Sequence, residues 1–185
     1  MSAVVVFESM FGNTEKIARA IAAGLRPAMD VTVTEVGDAP ERLDAGVDLL
    51  VVGGPTHAFG MTRPSTREDA RRRVGDQVVS RGAGVREWLD ALGSRPGTLT
   101  ATFDTRAEQV RHLPGSAARG AAKVLRRHGF IMVGRPHSFY VLDVEGPLVD
   151  GEVERARRWG EELAHTYSES SSEGGRHDRA GRRTT

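Results

Sequence analysis

Three short stretches carry residue types that could bind an anion or a planar ring. The most distinctive is Glu8-Ser9-Met10-Phe11-Gly12-Asn13-Thr14-Glu15, which links an apolar run to a helical one. Ser9, Asn13 and Thr14 bring neutral donors to one turn, and Gly12 lets the backbone curl closely around a ligand. A helix N-terminus attracts anions through its unpaired N–H groups and its dipole. The loop holds no Lys or Arg. This chemistry suits a phosphate monoester gripped by neutral donors rather than a nucleoside triphosphate with Mg²⁺. The competing reading is that Ser9, Asn13 and Thr14 only cap the helix.

Two phosphate motifs are excluded. A Walker A loop requires Gly-x-x-x-x-Gly-Lys-Ser/Thr, and Lys16 stands in the wrong place. A dinucleotide fingerprint requires Gly-x-Gly-x-x-Gly, and only Gly12 is present. Cysteine is absent, which removes disulfides, thiolate metal sites and thiol nucleophiles. The six His are scattered without metal spacing. Ser116, in Pro114-Gly115-Ser116-Ala117, reads as a helix start because the Gly-x-Ser-x-Gly context of a nucleophile elbow is missing.

The elements that must position these loops follow from hydrophobic patterning. Ala3–Phe7 is a continuous apolar run of the kind buried on both faces of a parallel sheet, and Asp48–Gly53 reads as a second buried strand. Between them, Ile17, Ala20, Ile21, Gly24 and Leu25 recur at helical spacing, Pro27 closes that helix, and Val31, Val33 and Val36 suit an edge-side strand. Helices are predicted over Thr66–Val74, around Trp88 and over Ser116–His128, with Gly129 past the end of the last. Leu99–Phe103 reads as a strand, and Phe130–Val133 with Ser138–Val144 as a final strand broken at Arg135-Pro136-His137. Asp150 is the expected cap of a closing helix whose inner stripe is Val153, Ala156, Trp159, Gly160, Leu163 and Ala164. Alternating strands and helices argue a doubly wound parallel sheet, whose ligands bind beyond the carboxyl ends of the strands. The loops after Phe7, Gly53 and Phe103 are therefore the candidate site.

Strand, Ser-Met-Phe-Gly-Asn-Thr-Glu and amphipathic helix together resemble the FMN phosphate loop of flavodoxins, most strongly at Gly12-Asn13-Thr14-Glu15. The spacing of later elements agrees to about residue 165. The resemblance implies an α/β flavodoxin-like fold of the short-chain type, a five-stranded parallel sheet in the order 2-1-3-4-5. It implies FMN as cofactor, with Ser9, Met10, Phe11, Gly12, Asn13 and Thr14 around its phosphate. Pro55, Thr56, His57, Ala58, Phe59 and Gly60 would run along the ring, with Phe59 as the stacking candidate, His57 the second choice, and Gly60 as a peptide able to flip. Phe103, Asp104, Thr105 and Arg106 would form the third flavin loop. This loop departs from the family pattern, since no Tyr is near and the two Tyr residues come later, at 140 and 167. Arg63, Arg67 and Arg106 in or beside these loops would stabilise a reduced, negatively charged ring and make the couple less reducing, and the competing reading is that they are solvated or paired with Glu68, Asp69 and Asp104.

Charge and composition limit the remaining possibilities. Apolar residues make up 38% and charged residues 28%, an ordinary globular balance. The segment 168–185 has four Arg against two Glu and one Asp and almost no apolar residue, so it is expected to be a disordered polar tail behind a domain spanning 1–167. The tail carries the whole net charge of +1, which leaves a neutral body with no footprint for nucleic acid. Neither a signal peptide nor a membrane span is apparent, so a cytoplasmic protein is expected. The function expected is electron transfer between redox partner proteins, a reductase and an acceptor. The alternatives are an FMN-dependent oxidoreductase of NAD(P)H–quinone or protoporphyrinogen type and a flavin-free binding module.

Overall fold

The computed structural model describes residues 1–58 and 60–180. Its strands are β1 (Ser2–Phe7), β2 (Asp30–Glu35), β3 (Leu49–Pro55), β4 (Leu99–Ala107), β5 (Ile131–Met132) and β6 (His137–Val141). Its helices are α1 (Asn13–Leu25), α2 (Pro64–Val74), α3 (Val85–Ala91), α4 (Ala117–Arg127) and α5 (Glu152–Ala180). All strand pairings are parallel, in the order β2-β1-β3-β4-β5, with β6 also paired to β4. This is the expected flavodoxin-like order, with the fifth position shared by two short strands.

Burial explains the layering. Every residue of β3 is buried, as a central strand covered on both faces must be. One face packs Val5, Phe7 and Val51 against α1 and α5, and the other packs Val6, Leu50 and Val52 against α3 and α4. Gly53 is required at its position: a Cβ there would lie 2.1 Å from Cζ of Phe103. Gly24 and Gly160 let α1 and α5 touch along their backbones, since Cβ atoms there would lie 2.0 and 2.2 Å from opposing carbonyl oxygens.

Four boundaries differ from the sequence reading. Strand β4 continues past Phe103 to Ala107, because Thr105, Arg106 and Ala107 still find partners on β6. Strand β6 ends at Val141, which leaves Leu142 and Val144 exposed in the loop before α5. Val153 is 49% exposed and does not join the inner stripe of α5, because in the first turn it is Glu152 that faces inward, 7% exposed and accepting the Tyr140 N–H (2.7 Å). The helical backbone of α5 also runs past the expected start of the tail, to Ala180, and Tyr167 packs against the core. A packed helix supplies the nucleus from which further turns add at little cost. Residues 181–185 lie outside the described residues.

Candidate functional site

The turn after β1 is anchored from below. Ser9 is fully buried, its N–H donates to Ser80 Oγ (2.9 Å), and its carbonyl accepts the Ser80 N–H (2.8 Å). Its hydroxyl accepts the Glu15 N–H (3.3 Å), a capping role. Met10 is buried against Ala70 and Val78. Gly12 adopts a left-handed φ of 80° at the head of α1, with open space where a Cβ would stand. The Asn13 amide nitrogen donates to the Glu145 carbonyl (2.9 Å), and the Thr14 and Thr105 hydroxyls share a hydrogen bond of 2.7 Å. The polar side chains of this loop therefore diverge. Ser9 turns inward, Asn13 holds the loop after β6, and Thr14 ties the first turn to the end of β4.

The loop after β3 is fixed by Thr56, whose hydroxyl donates to Asp104 Oδ2 (2.9 Å) and accepts the Ala117 N–H (2.8 Å). His57 and Gly60 exchange two main-chain hydrogen bonds, both 3.0 Å, closing a two-residue turn. Among the described residues of that turn, Ala58 is left-handed, at φ 45°, and Gly60 is not. Phe59 lies outside the described residues. Burial, with repulsion from Arg73 added, holds His57 below the ordinary histidine range, so its ring is neutral at pH 7.

Phe103 and Asp104 do not reach the cleft. Phe103 is fully buried, edge-on to Phe139 (6.2 Å) and Trp159 (6.4 Å). Asp104 is equally buried and caps α4, accepting from the Ser116 hydroxyl and the Ala118 N–H. Both lie inside β4, so the strand's extra length carries the third loop beyond them. Arg106, 6% exposed, donates to the carbonyls of Val110 (2.6 Å), Gly115 (3.0 Å) and Leu113 (3.1 Å), pinning the loop that follows β4. Its buried Nε has no protein partner.

Together these turns enclose a cleft of about 230 Å³. Met10, Phe11, Asn13 and Thr14 form one wall, Pro55, Thr56, His57 and Ala58 the second, and Thr105, Arg106, Ala107 and Val110 the third. Val141 and Val144 close it from the far side. A neighbouring recess runs toward α2 past His57, Thr66, Asp69 and Arg73. Arg73 and Glu145 form an ion pair (3.7 Å) between α2 and the loop after β6.

The family model for flavodoxin matches residues 5–93, from β1 through α3. Among solved structures, a flavodoxin from the domain Archaea aligns at 20% identity and a TM-score of 0.61, covering 91% of this chain and 99% of that one. A flavodoxin from Streptococcus pneumonia TIGR4 aligns at 22% identity and 0.60, covering 89% and 99%. A short-chain flavodoxin associated with a non-canonical PDU bacterial microcompartment aligns at 16% identity and 0.59, covering 90% and 99%. The chain is flavodoxin-like. No curated protein sequence matches it.

In this flavodoxin-like chain, the site expected from sequence is partly gathered and partly dispersed. Met10, Phe11, Asn13, Thr14, Pro55 through Ala58, Thr105 and Arg106 meet at the cleft, whereas Ser9, Gly12, Gly60, Phe103 and Asp104 do not line it. Ser9 and Asp104 support walls from behind, and Gly12 stands at the head of α1. Ala107, Val110, Val141 and Val144 line the cleft without having been singled out. No local pattern singled them out, because β4 reaches Ala107, and so brings Ala107 and Val110 here, only through its pairing with β6. Arg67 is also displaced from its expected place. It is buried behind the second loop, paired with Glu87 (3.1 Å) and donating to Thr62 (3.1 Å). Arg63 is exposed at the start of α2.

Proposed function

We propose that this flavodoxin-like protein holds FMN non-covalently in the cleft and carries electrons between redox proteins. The observation that carries the reading is the convergence of the turns after β1, β3 and β4 on one largely apolar cleft, with the unpartnered Arg106 Nε buried at its wall. The residues present fit the group. Main-chain N–H groups at Gly12, Asn13 and Thr14 would hold the phosphate at the α1 N-terminus. The Thr14–Thr105 pair spends only one of its two hydroxyl hydrogens on itself, leaving the other to donate. The ring would lie between Pro55–Ala58 and Thr105–Val110. Gly12 stays in the proposal through its main chain at the phosphate, Ser9, Gly60, Phe103 and Asp104 as the support behind those walls, and Phe59 as the stacking candidate. Bound FMN supplies one- and two-electron redox chemistry.

The chain's own part is to bind, exclude water and set charge. The titratable side chains among the described cleft residues are His57 and Arg106, and His57 is held neutral. Arg106 presents a permanent charge that favours an anionic ring and a less reducing couple. The polar segment after Tyr167 takes no part in holding the cofactor, and a cytoplasmic location belongs to the same proposal. No described helix is long and apolar enough to cross a membrane.

The absorption spectrum of the purified protein, followed by titration with FMN and with riboflavin, tests the reading. FMN is expected to bind at least about tenfold more tightly, a difference of roughly 1.4 kcal/mol. Equal affinity would remove the phosphate site, and no binding would remove the cofactor. One observation favours the oxidoreductase alternative, the recess beside the cleft bordered by His57, Thr66, Asp69 and Arg73, where a substrate could meet the ring. Bleaching of the bound flavin by NAD(P)H alone would favour that reading over the carrier.

A further inference from the structure

Net charge conceals a segregation that the fold displays on one face. Residues 109–142 hold six Lys and Arg and no Asp or Glu, so the rest of a neutral body is acidic by the same amount. Arg119, Lys123, Arg126 and Arg127 fall on the outer stripe of α4, while Ala117, Ala118, Ala121, Ala122 and Leu125 face the core. All four are exposed, as are Arg111 before the helix and Arg135 after β5. The Arg side chains of α2 are paired with Glu68, Asp69, Glu87 or Glu145. Among the described residues, Arg119, Lys123, Arg126, Arg127 and Arg135 enter no ion pair.

The stripe starts at the cleft. The α4 N-terminus donates to Thr56, a cleft residue, and Arg106 pins the segment holding Arg111 and Leu113. From Arg119 to Arg127 the charges extend about 12 Å along the helix. Leu113, 46% exposed, and Ile131, 53% exposed, lie before and after α4 in the chain.

We infer that the outer face of α4, carrying Arg119, Lys123, Arg126 and Arg127, is the docking surface for an acidic redox protein that meets the cleft at the third loop. The inference rests on the electron-carrier reading. Like charges this dense and unpaired repel one another in the free protein, and an acidic surface relieves that repulsion on contact. Such a field also steers encounter over a Debye length of about 8–10 Å, which a transient electron-transfer complex needs more than it needs tight binding. The exposed Leu113 and Ile131 favour a protein over a nucleic acid, whose interfaces are more polar.

The test titrates the ¹⁵N-labelled full-length protein with an acidic plant-type [2Fe–2S] ferredoxin and follows amide signals. Signals from residues 111–127 are expected to shift or broaden most, with affinity falling several-fold between about 20 mM and about 200 mM salt. The charge-reversed variant Arg119→Glu/Arg126→Glu should bind about tenfold more weakly, with unchanged melting temperature and FMN titration. Perturbation centred elsewhere, affinity indifferent to salt or to charge reversal, or tighter binding of a short DNA duplex at equal salt would each overturn the inference. The binding arm needs no flavin. A chain that takes no FMN but binds ferredoxin through α4 would sink the carrier reading and leave the surface standing.

Discussion

At the residue scale, a carboxylate is buried immediately ahead of the first loop. Glu8, 1% exposed, accepts the Thr62 hydroxyl at Oε1 (2.5 Å) and the Val85 N–H at Oε2 (2.9 Å). Gly84 leaves room for the assembly, since a Cβ there would lie 2.5 Å from an Arg67 nitrogen and 2.8 Å from Glu8 Oε2. Burial pushes the Glu8 carboxyl above the ordinary carboxylate range, while Thr62, Val85 and the Arg67 charge pull it partly back. Because the folded chain holds this proton more tightly than the unfolded chain, stability falls as pH rises from the ordinary carboxylate value through the raised one. Urea unfolding at several pH values from about 4.5 to about 7 should therefore show a steeper fall for the wild type than for Glu8→Gln. Parallel curves would mean that Glu8 titrates alike in both states. The first loop was legible as a turn rich in donors, but the destinations of those donors were not. Asn13 reaches Glu145 and Thr14 reaches Thr105 across sequence gaps that no local pattern encodes.

At the element scale, helix packing is set by missing side chains. In the α1–α5 contact, Gly24 and Gly160 stand where an added methyl would strike the opposing backbone. Gly160→Ala gains about 1 kcal/mol of helix propensity but overpacks a backbone contact, typically a cost of about 1–3 kcal/mol. A net loss of stability is expected, read as a lower urea midpoint at unchanged m-value. An unchanged or higher midpoint would show that α5 shifts freely. Both glycines were visible in the sequence as members of helical stripes, yet nothing there distinguished a contact point from a poor helix former. The same holds for β4. Asp104 through Ala107 looks like a loop by composition, and pairing with β3 as far as Thr105 and with β6 as far as Ala107 keeps it extended.

At the whole-molecule scale, the site is a joint between elements far apart in the chain, so a ligand spanning it should stabilise the fold. With FMN at about 100 times its dissociation constant, linkage gives about 2.7 kcal/mol, or a rise of roughly 5–10 °C in Tm for a chain this size. Riboflavin at equal concentration should produce a smaller rise. A thermal scan in which FMN leaves Tm unchanged would argue against a ligand bridging the three turns.

By itself the sequence determined what is local or periodic. Apolar runs specified strands buried on both faces, helical stripes specified the covering layers, and their alternation specified a parallel sheet with its candidate site at the strand ends. Tertiary structure decided what depends on which side chains come to face one another. It drew Phe103 and Asp104 into the interior by extending β4, brought Val141 and Val144 to the cleft, and sent Arg67 to Glu87 behind the second loop. It also lined up four cations of the acid-free segment on one helix face, a grouping that a net charge summed along the chain had averaged away. Short-range patterning fixes which residues are buried, but the partners of buried polar groups and the grouping of surface charge are settled only when distant segments are folded together.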